Sequence, residues 1–140
     1  KDITIATDVI VGFPTETELQ FQDSLHLIQD VKPDIVNIAR FSPRPNTLAS
    51  RMIQLPSNIK KERSKALTEL FMSLALKQNK KWVGWEGNII VDEIGKNKTM
   101  IGRNFAYKPI LVKDDIEIGQ THTVEITNTT THSLLGRIAS

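Results

Sequence analysis

The sequence predicts an α/β unit followed by an all-β unit: a partial parallel βαβ unit, a connecting helix and a small five-stranded antiparallel barrel. Three observations support this prediction. Residues 3–41 contain an apolar β-branched stretch, an amphipathic stretch and a second apolar stretch in succession. Residues 57–81 contain an apolar stripe at helical spacing, and residues 82–140 contain five short β-rich stretches separated by turn residues. We therefore expect three segments, with residues 1–56 as the first.

The first segment has the pattern strand, helix, strand. Residues 3–11 are nearly continuously hydrophobic, as in a strand that is buried on both faces of a parallel sheet. A helix is predicted over residues 18–31, with Thr17 as its N-cap and Gln20 completing a capping box. Residues 35–41 form the second predicted strand. Because the links are short, the two strands should be parallel and joined by a right-handed crossover.

Two loops leave the carboxyl ends of these strands, at residues 12–17 and 41–47. In parallel α/β structures those ends meet at one edge of the sheet, and that edge holds the functional site. Arg44 lies there between Pro43 and Pro45, which restrict the backbone. A guanidinium so placed loses little freedom when it binds an anion or a planar polar group. A solvated Arg44 on an ordinary loop is the simpler alternative.

The first segment does not make a complete domain by itself. Two parallel strands leave both sheet faces and at least one edge uncovered, so we expect residues 1–56 to be the last part of a larger parallel α/β structure. The helix that follows is basic, since residues 57–85 hold seven Lys/Arg against two Asp/Glu. Its basic side is expected to be solvated, and its apolar stripe is expected to pack on the first segment.

The barrel is predicted from strands at residues 88–93, 99–105, 107–113, 121–127 and 133–138, with a turn at residues 95–98. Pro109 requires an edge or bulge position. Small barrels of this kind commonly bind single-stranded or looped RNA through basic and aromatic side chains. One cluster of that type is present: Arg103, Asn104, Phe105, Tyr107 and Lys108. Alternatively, Phe105 and Tyr107 belong to the core.

Several function classes are excluded by what the sequence lacks. It contains no cysteine, which rules out disulfides, thiolate metal sites and a cysteine nucleophile within these 140 residues. Its three histidines show no metal-ligand spacing, and it has no Walker, Gly-x-Gly-x-x-Gly or Gly-x-Ser-x-Gly motif. No apolar run reaches membrane-spanning length. We expect a cytoplasmic protein without a self-contained active site.

The two loop motifs and the barrel resemble a known family. Residues 7–17, TDVIVGFPTET, and residues 41–47, FSPRPNT, resemble the end of the radical-SAM domain of the MiaB-type tRNA methylthiotransferases. Thr15 and Asn46 stand where that family usually has glycine. Residues 82–140 resemble the TRAM domain that follows in the family, and the stretch IGRNFAYKP is most similar to the archaeal and eukaryotic branch. The resemblance covers essentially the whole chain, in the family's order.

The resemblance implies a function for the protein from which such a segment comes. Members of this branch convert threonylcarbamoyladenosine beside the tRNA anticodon to its 2-methylthio derivative. They use S-adenosylmethionine and two iron–sulfur clusters, whose cysteine ligands lie upstream of this segment. The chain is therefore expected to be the C-terminal part of such an enzyme, to supply tRNA binding and part of the substrate rim, and to be inactive alone. It is expected to bind no iron and to cleave no S-adenosylmethionine.

Site residues follow from the same resemblance and from the barrel cluster. The resemblance places four residues on the S-adenosylmethionine side: Gly12, Phe13, Pro14 and Glu16. It places three at the barrel mouth facing substrate: Phe41, Ser42 and Arg44. The residues expected to contact RNA are those of the barrel cluster and of the helix end: Lys77, Lys80, Lys81, Arg103, Asn104, Tyr107 and Lys108. No catalytic or metal-binding residue is expected in the chain.

Two alternatives remain open. In the first, the chain is a stand-alone RNA-binding protein and the βαβ unit is a docking scaffold. The coding sequence upstream of Lys1 distinguishes this protein from the enzyme fragment, because the enzyme requires a Cys-x-x-x-Cys-x-x-Cys motif there. The second, a small-molecule α/β enzyme, lacks a catalytic pair and is the weakest. For the enzyme fragment we expect tRNA as partner, no membrane contact, and self-association through the exposed strands.

Overall fold

The computed structural model describes residues 3–96 and 99–139, and these form two compact units. One unit comprises residues 5–74, and the other comprises residues 75–139 together with residues 3 and 4. A single helix contributes residues to both units, so the predicted division at residues 56 and 81 stays a prediction. Of the turn predicted at residues 95–98, residues 97 and 98 lie outside the described residues.

The first unit contains the predicted βαβ unit. Strand β1 (Ala6–Val11) and strand β2 (Ile35–Arg40) pair in parallel, with Ala6 opposite Ile35 and Val11 opposite Arg40. Helix α1 (Glu18–Val31) joins them. The parallel pairing is therefore confirmed, although β1 begins three residues later than the sequence indicates.

Helix α1 begins and ends as the local sequence dictates. The Thr17 hydroxyl accepts the Gln20 backbone N–H at 3.2 Å, and the Gln20 side chain accepts the Thr17 backbone N–H at 2.9 Å. The predicted capping box is therefore confirmed. At the other end Lys32 adopts a left-handed conformation with φ 51°, and Pro33 follows it. The helix buries the ring of Phe21, and full burial of an apolar side chain of this size stabilises a fold by about 1.5–3 kcal/mol.

Two further helices complete the α-helical structure. Helix α2 (Leu48–Arg51) is a single turn, and helix α3 (Ser57–Lys80) is the predicted long helix. Within the first unit, α3 buries Leu67 and Phe71, as the apolar stripe predicts. Among the described residues, no helix has both the length and the apolarity needed to cross a membrane.

The second unit is a closed five-stranded barrel. Its strands are β3 (Glu86–Ile94), β4 (Met100–Arg103), β5 (Pro109–Val112), β6 (Thr121–Thr129) and β7 (Leu134–Ile138). They are hydrogen-bonded in the order β3-β4-β5-β7-β6, and β6 pairs with β3 to close the ring. The fold class is confirmed.

One strand pair differs from the antiparallel prediction. β5 and β7 are parallel, and the other four pairs are antiparallel. The reason is topological: directions cannot alternate around a closed ring with an odd number of strands, so at least one pair must be parallel. Pro109 is the first residue of β5, a position where its missing N–H is tolerated.

The barrel interior is filled by aliphatic side chains on the inward faces of the strands. Gly102 on β4 is required there, because a Cβ at this position would overlap the Ile89 side chain. Trp82, Trp85 and Met100 pack against the outside of this core. The buried residues of this core are Ile89, Val91, Ile110, Val112, Ile116, Val124, Ile126 and Leu134.

Candidate functional site

The loop after β1 is organised by the carboxylate of Glu16. One carboxylate oxygen accepts the backbone N–H of Gly12 at 2.8 Å and the Arg63 Nη1 donor at 2.6 Å. Arg63 Nη1 also lies 3.0 Å from the backbone oxygen of Glu16. The loop is tightened further by a hydrogen bond from the Glu16 N–H to the Phe13 carbonyl. Glu16 thus holds the loop in shape from within, and its carboxylate is not directed at solvent.

Arg63 is a partner of this loop that the sequence pattern did not predict. We expected the basic side of α3 to be solvated, but Arg63 is only 6% exposed, so for this residue the prediction was wrong. Its guanidinium reaches Glu18 at 3.2 Å and lies over the ring of Phe21 at 5.3 Å. The signal was present: Arg63 stands four residues before Leu67, on the face that α3 buries.

Both loops contain a left-handed residue that is not glycine. Thr15 has φ 72° and Asn46 has φ 65°, and these are the two positions where the resembling family usually has glycine. Left-handed geometry is costly for a β-branched residue such as threonine, whereas asparagine tolerates it. The backbone therefore keeps the glycine conformation at both positions, although the side chains have changed.

The two loops meet at one edge of the sheet, as predicted. The Phe41 N–H donates to the Val11 carbonyl at 2.8 Å, and the rings of Phe13 and Phe41 are in edge contact with centroids 5.2 Å apart. A cavity of about 500 Å³ opens beside them. Its lining includes all three residues of the predicted substrate rim, Phe41, Ser42 and Arg44, and the side chains of Ser42 and Arg44 are exposed.

The predicted cofactor residues differ in their accessibility. Gly12 and Pro14 are buried, the Glu16 carboxylate is occupied by Arg63, and Phe13 alone presents a substantial surface. A Cβ at Gly12 would overlap the Lys60 side chain, so glycine is needed there for packing. Among these four residues and the rim, Phe13 and the cavity beside Phe41 are therefore the accessible parts of the predicted site.

Iron–sulfur clusters do not fit this chain. The clusters need thiolate ligands, and the sequence has no cysteine. Among residues 3–96 and 99–139, no group of three or more His, Asp or Glu side chains could hold a metal ion.

In the barrel unit, the predicted RNA cluster divides into exposed and buried residues. Tyr107 is 65% exposed with φ 62°, and the Arg103 guanidinium covers one face of its ring at 4.7 Å. Arg103 also pairs with Asp92 at 2.7 Å and Glu93 at 3.4 Å. Its charge is therefore already balanced by two carboxylates.

Asn104 and Lys108 are interior residues, with exposures of 6% and 5%. The Asn104 side-chain oxygen accepts the backbone N–H groups of Ala106 and Lys108, which shapes the turn between β4 and β5. Lys108 Nζ lies 3.3 Å from the Asn79 side-chain oxygen. Since neither side chain reaches solvent, their predicted contact with RNA is replaced by a supporting role for the turn that presents Tyr107.

The lysines at the end of α3 are accessible. Lys77, Lys80 and Lys81 are all exposed, and Lys81 Nζ makes a hydrogen bond to the Gln78 side chain at 2.6 Å. They lie beside the aromatic pair Trp82 and Trp85 in sequence. Their accessibility is compatible with phosphate contact.

An aromatic cluster was not predicted. The rings of Trp82 and Trp85 are 5.8 Å apart, and Phe105 lies 6.0 and 6.2 Å from them. Phe105 is 71% exposed, so the alternative that it belongs to the core is wrong. The two tryptophans stand three residues apart just after α3, and this spacing could have indicated that their rings lie together.

Comparison with known proteins gives a consistent assignment. The family model for the TRAM domain matches residues 80–139. A protein of Archaeoglobus fulgidus named probable threonylcarbamoyladenosine tRNA methylthiotransferase is 40% identical over 99% of this chain. Residues 80–139 thus match the TRAM domain, and nearly the whole chain is similar to proteins named as tRNA methylthiotransferases.

Other relatives define how far this similarity extends. The threonylcarbamoyladenosine tRNA methylthiotransferase of Drosophila melanogaster is 36% identical over 97% of the chain. The tRNA-2-methylthio-N(6)-dimethylallyladenosine synthase of Aquifex aeolicus is 38% identical over 99% of it. The chain spans about a third of the Archaeoglobus and Aquifex proteins and a quarter of the Drosophila protein.

Proposed function

We propose that this chain is the C-terminal part of a cytoplasmic enzyme that converts threonylcarbamoyladenosine next to the tRNA anticodon to its 2-methylthio derivative. The observation that supports this most strongly is similarity along nearly the whole chain to relatives of that name, with both rim loops and the barrel included. In this proposal S-adenosylmethionine and two iron–sulfur clusters belong to the full-length enzyme. The thiolate ligands come from outside these 140 residues.

The rim loops would contact the modified base. Arg44 is exposed on the wall of the cavity, and its planar guanidinium suits the carboxylate of a threonylcarbamoyl group. Ser42 adds a hydroxyl donor, and Phe41 with Phe13 supplies an aromatic wall. Gly12, Pro14, Glu16 and Arg63 would hold this wall in place without touching substrate.

The barrel would bind tRNA. Tyr107 offers an exposed ring face for an unpaired base, and Lys77, Lys80 and Lys81 offer positive charge for phosphates. Arg103 would orient Tyr107, while Asn104 and Lys108 shape the turn. Tyr107→Ala in the whole chain should weaken tRNA binding by roughly 1–3 kcal/mol if a base stacks there. Unchanged binding in a folded variant would remove Tyr107 from the RNA surface.

A chimera tests the activity. The segment of the Archaeoglobus relative that aligns with this chain is replaced by residues 1–140, and the tRNA is digested and analysed for 2-methylthio nucleosides by mass spectrometry. We expect methylthiolation of threonylcarbamoyladenosine, and its loss in the Arg44→Ala chimera. A folded chimera that binds tRNA but modifies only dimethylallyladenosine-type bases would contradict the substrate assignment. Retention of activity by the Arg44→Ala chimera would contradict the role of Arg44.

A further inference from the structure

A second pocket of the first unit adjoins the cavity of about 500 Å³ beside Phe13 and Phe41, which we call the rim cavity. This pocket, which we call the Arg40 pocket, has a volume of about 280 Å³. Arg40, Phe41 and Ser42 line both spaces. The remaining lining of the Arg40 pocket is Ser57 and Lys60. The pocket therefore lies next to the place proposed for the modified base.

The end of one strand and the start of one helix build the Arg40 pocket. Arg40 is the last residue of β2, and Ser57 is the first residue of α3. Lys60 lies about one turn further along α3, and its Nζ donates to the Phe41 carbonyl at 3.2 Å. The Phe41 N–H in turn donates to the Val11 carbonyl at 2.8 Å, so the backbone that holds Lys60 is itself fixed. This cation is thus positioned before a ligand arrives, which lowers the entropy cost of binding.

The charge of the Arg40 pocket favours an anion. Of its five lining residues, two are cations and two carry hydroxyl groups, and none of those described is acidic. Among residues 3–96 and 99–139, no carboxylate lies within ion-pair distance of Arg40 or Lys60. The first turn of α3 has no acidic residue, so the positive end of the helix dipole adds to the charge of the two side chains.

The neighbouring rim cavity indicates which anion is bound. Guanidinium, ammonium and hydroxyl groups are the usual side-chain donors to the phosphates of nucleic acids. Each nucleotide of an RNA strand carries a phosphate one sugar away from its base, so a base in the rim cavity would bring a phosphate to the adjoining pocket. We infer that the Arg40 pocket binds a backbone phosphate of the RNA strand whose base enters the rim cavity. This inference rests on the proposed function and adds a tRNA contact in the first unit.

A titration of the 140-residue chain with inorganic phosphate tests the pocket as an anion site. Phosphate replaces chloride at constant ionic strength, and proton–nitrogen NMR correlation spectra follow the backbone amides. We expect saturable shifts at Ser42, Ser57 and Lys60 in the parent, and their loss in Arg40→Gln/Lys60→Met. Methionine is chosen because it keeps the length of the Lys60 stem, which lies against Gly12.

A second titration tests whether the anion belongs to RNA. The affinity of the chain for a fluorescently labelled tRNA transcript is measured at several salt concentrations. In Arg40→Gln/Lys60→Met, the slope of log affinity against log salt should become shallower by roughly 0.7–0.9, the value of one phosphate contact. Relative to an equal affinity at 1 M salt, this lowers the affinity at 0.1 M salt by about five- to eightfold.

A matched control separates the pocket from net charge. Arg51→Gln/Lys61→Met removes the same two charges from exposed positions of the same unit that do not line the pocket. It should keep the parent's phosphate shifts and salt slope. Circular dichroism verifies that each variant is folded.

The outcomes separate this inference from the proposed function. If the pocket variant keeps the parent's salt slope for tRNA, the inference is wrong, and phosphate shifts in the parent then report a site for free anions only. The inference is also wrong if phosphate causes no saturable shift in the parent, or if the control variant loses as much slope as the pocket variant. In all three cases, tRNA binding that Tyr107→Ala weakens leaves the proposed function in place. A parent that binds no tRNA contradicts both the inference and the proposed tRNA binding.

Discussion

Replacing Arg63 with methionine should destabilise the first unit by about 3 kcal/mol. Methionine keeps an apolar side chain of similar length against Phe21, so the change mainly removes the guanidinium. Glu16 then loses its shortest bond, at 2.6 Å, and its carboxylate remains poorly solvated in the loop. Removing one partner of a buried pair costs about 3–5 kcal/mol. We expect the lower end, because the Gly12 N–H still donates to Glu16 at 2.8 Å.

Urea denaturation followed by far-ultraviolet circular dichroism measures this loss. With a slope of about 1–2 kcal/mol per molar urea, a 3 kcal/mol loss lowers the midpoint by roughly 1.5–3 M. Lys65→Met is the matched control, since Lys65 makes an exposed ion pair with Glu69 at 3.8 Å. Pairs of that kind contribute about 0.3–0.5 kcal/mol.

A double variant tests whether the unpaired carboxylate of Glu16 causes the loss of stability. In Arg63→Met/Glu16→Gln no buried carboxylate is left unpaired, since Glu18, which also loses Arg63, is exposed to solvent, and the amide oxygen at position 16 can still accept the Gly12 N–H. We expect the pair of changes to cost about 2 kcal/mol less than the sum of the two single changes. If Arg63→Met shifts the midpoint no more than Lys65→Met, or if the two changes are additive, the ion pair does not hold the loop.

Three other predictions concern the backbone at Thr15, the pKa of Glu18 and the exposed two-stranded sheet. Thr15→Gly should stabilise the chain by about 0.5–1 kcal/mol in urea denaturation, since relief of left-handed strain exceeds the entropy cost of glycine, whereas Thr15→Ala should not. The Gln22 side chain donates a hydrogen bond to the Glu18 carboxylate at 2.8 Å and, together with Arg63, lowers the pKa of Glu18. The stability that Glu18 contributes should therefore be lost as pH falls through that lowered pKa. Gln22→Ala should raise the pKa of Glu18 in an NMR titration, and an unchanged pKa would refute the assignment. The chain should self-associate in light scattering at rising concentration, because Ile10 and Ile35 are exposed on a sheet whose two described strands each have an unpaired edge; a monomer at every concentration would contradict this.

Much of the fold could be predicted from the sequence, because its signals are local. The capping box at Thr17 and the apolar stripe of α3 depend on residues within one or two turns, and both are present in the structure. The burial of Arg63 depends on a loop 47 positions earlier in the chain, so helical spacing indicated its face but not its partner. The Glu16 contact explains why a charged side chain is tolerated on that face.

The candidate site was less predictable from the sequence. The exposure of its side chains depends on the geometry of turns and on how the barrel closes. Asn104 and Lys108 have polar side chains that suit RNA, yet the turn between β4 and β5 directs both inward and leaves Phe105 and Tyr107 outside. The parallel contact of β5 with β7 could not be predicted either, since it depends on closure of the whole ring.

The position of β7 in the ring constrains how the barrel can be made. β7 lies between β5 and β6, although β6 precedes it directly in the chain. During synthesis, β3 to β6 are available before β7, but they form only an open sheet with unpaired edges on β5 and β6. The ring can close only when residues 134–138 have left the ribosome, so a nascent chain stalled before that point should be protease-sensitive and should bind exposed-strand chaperones.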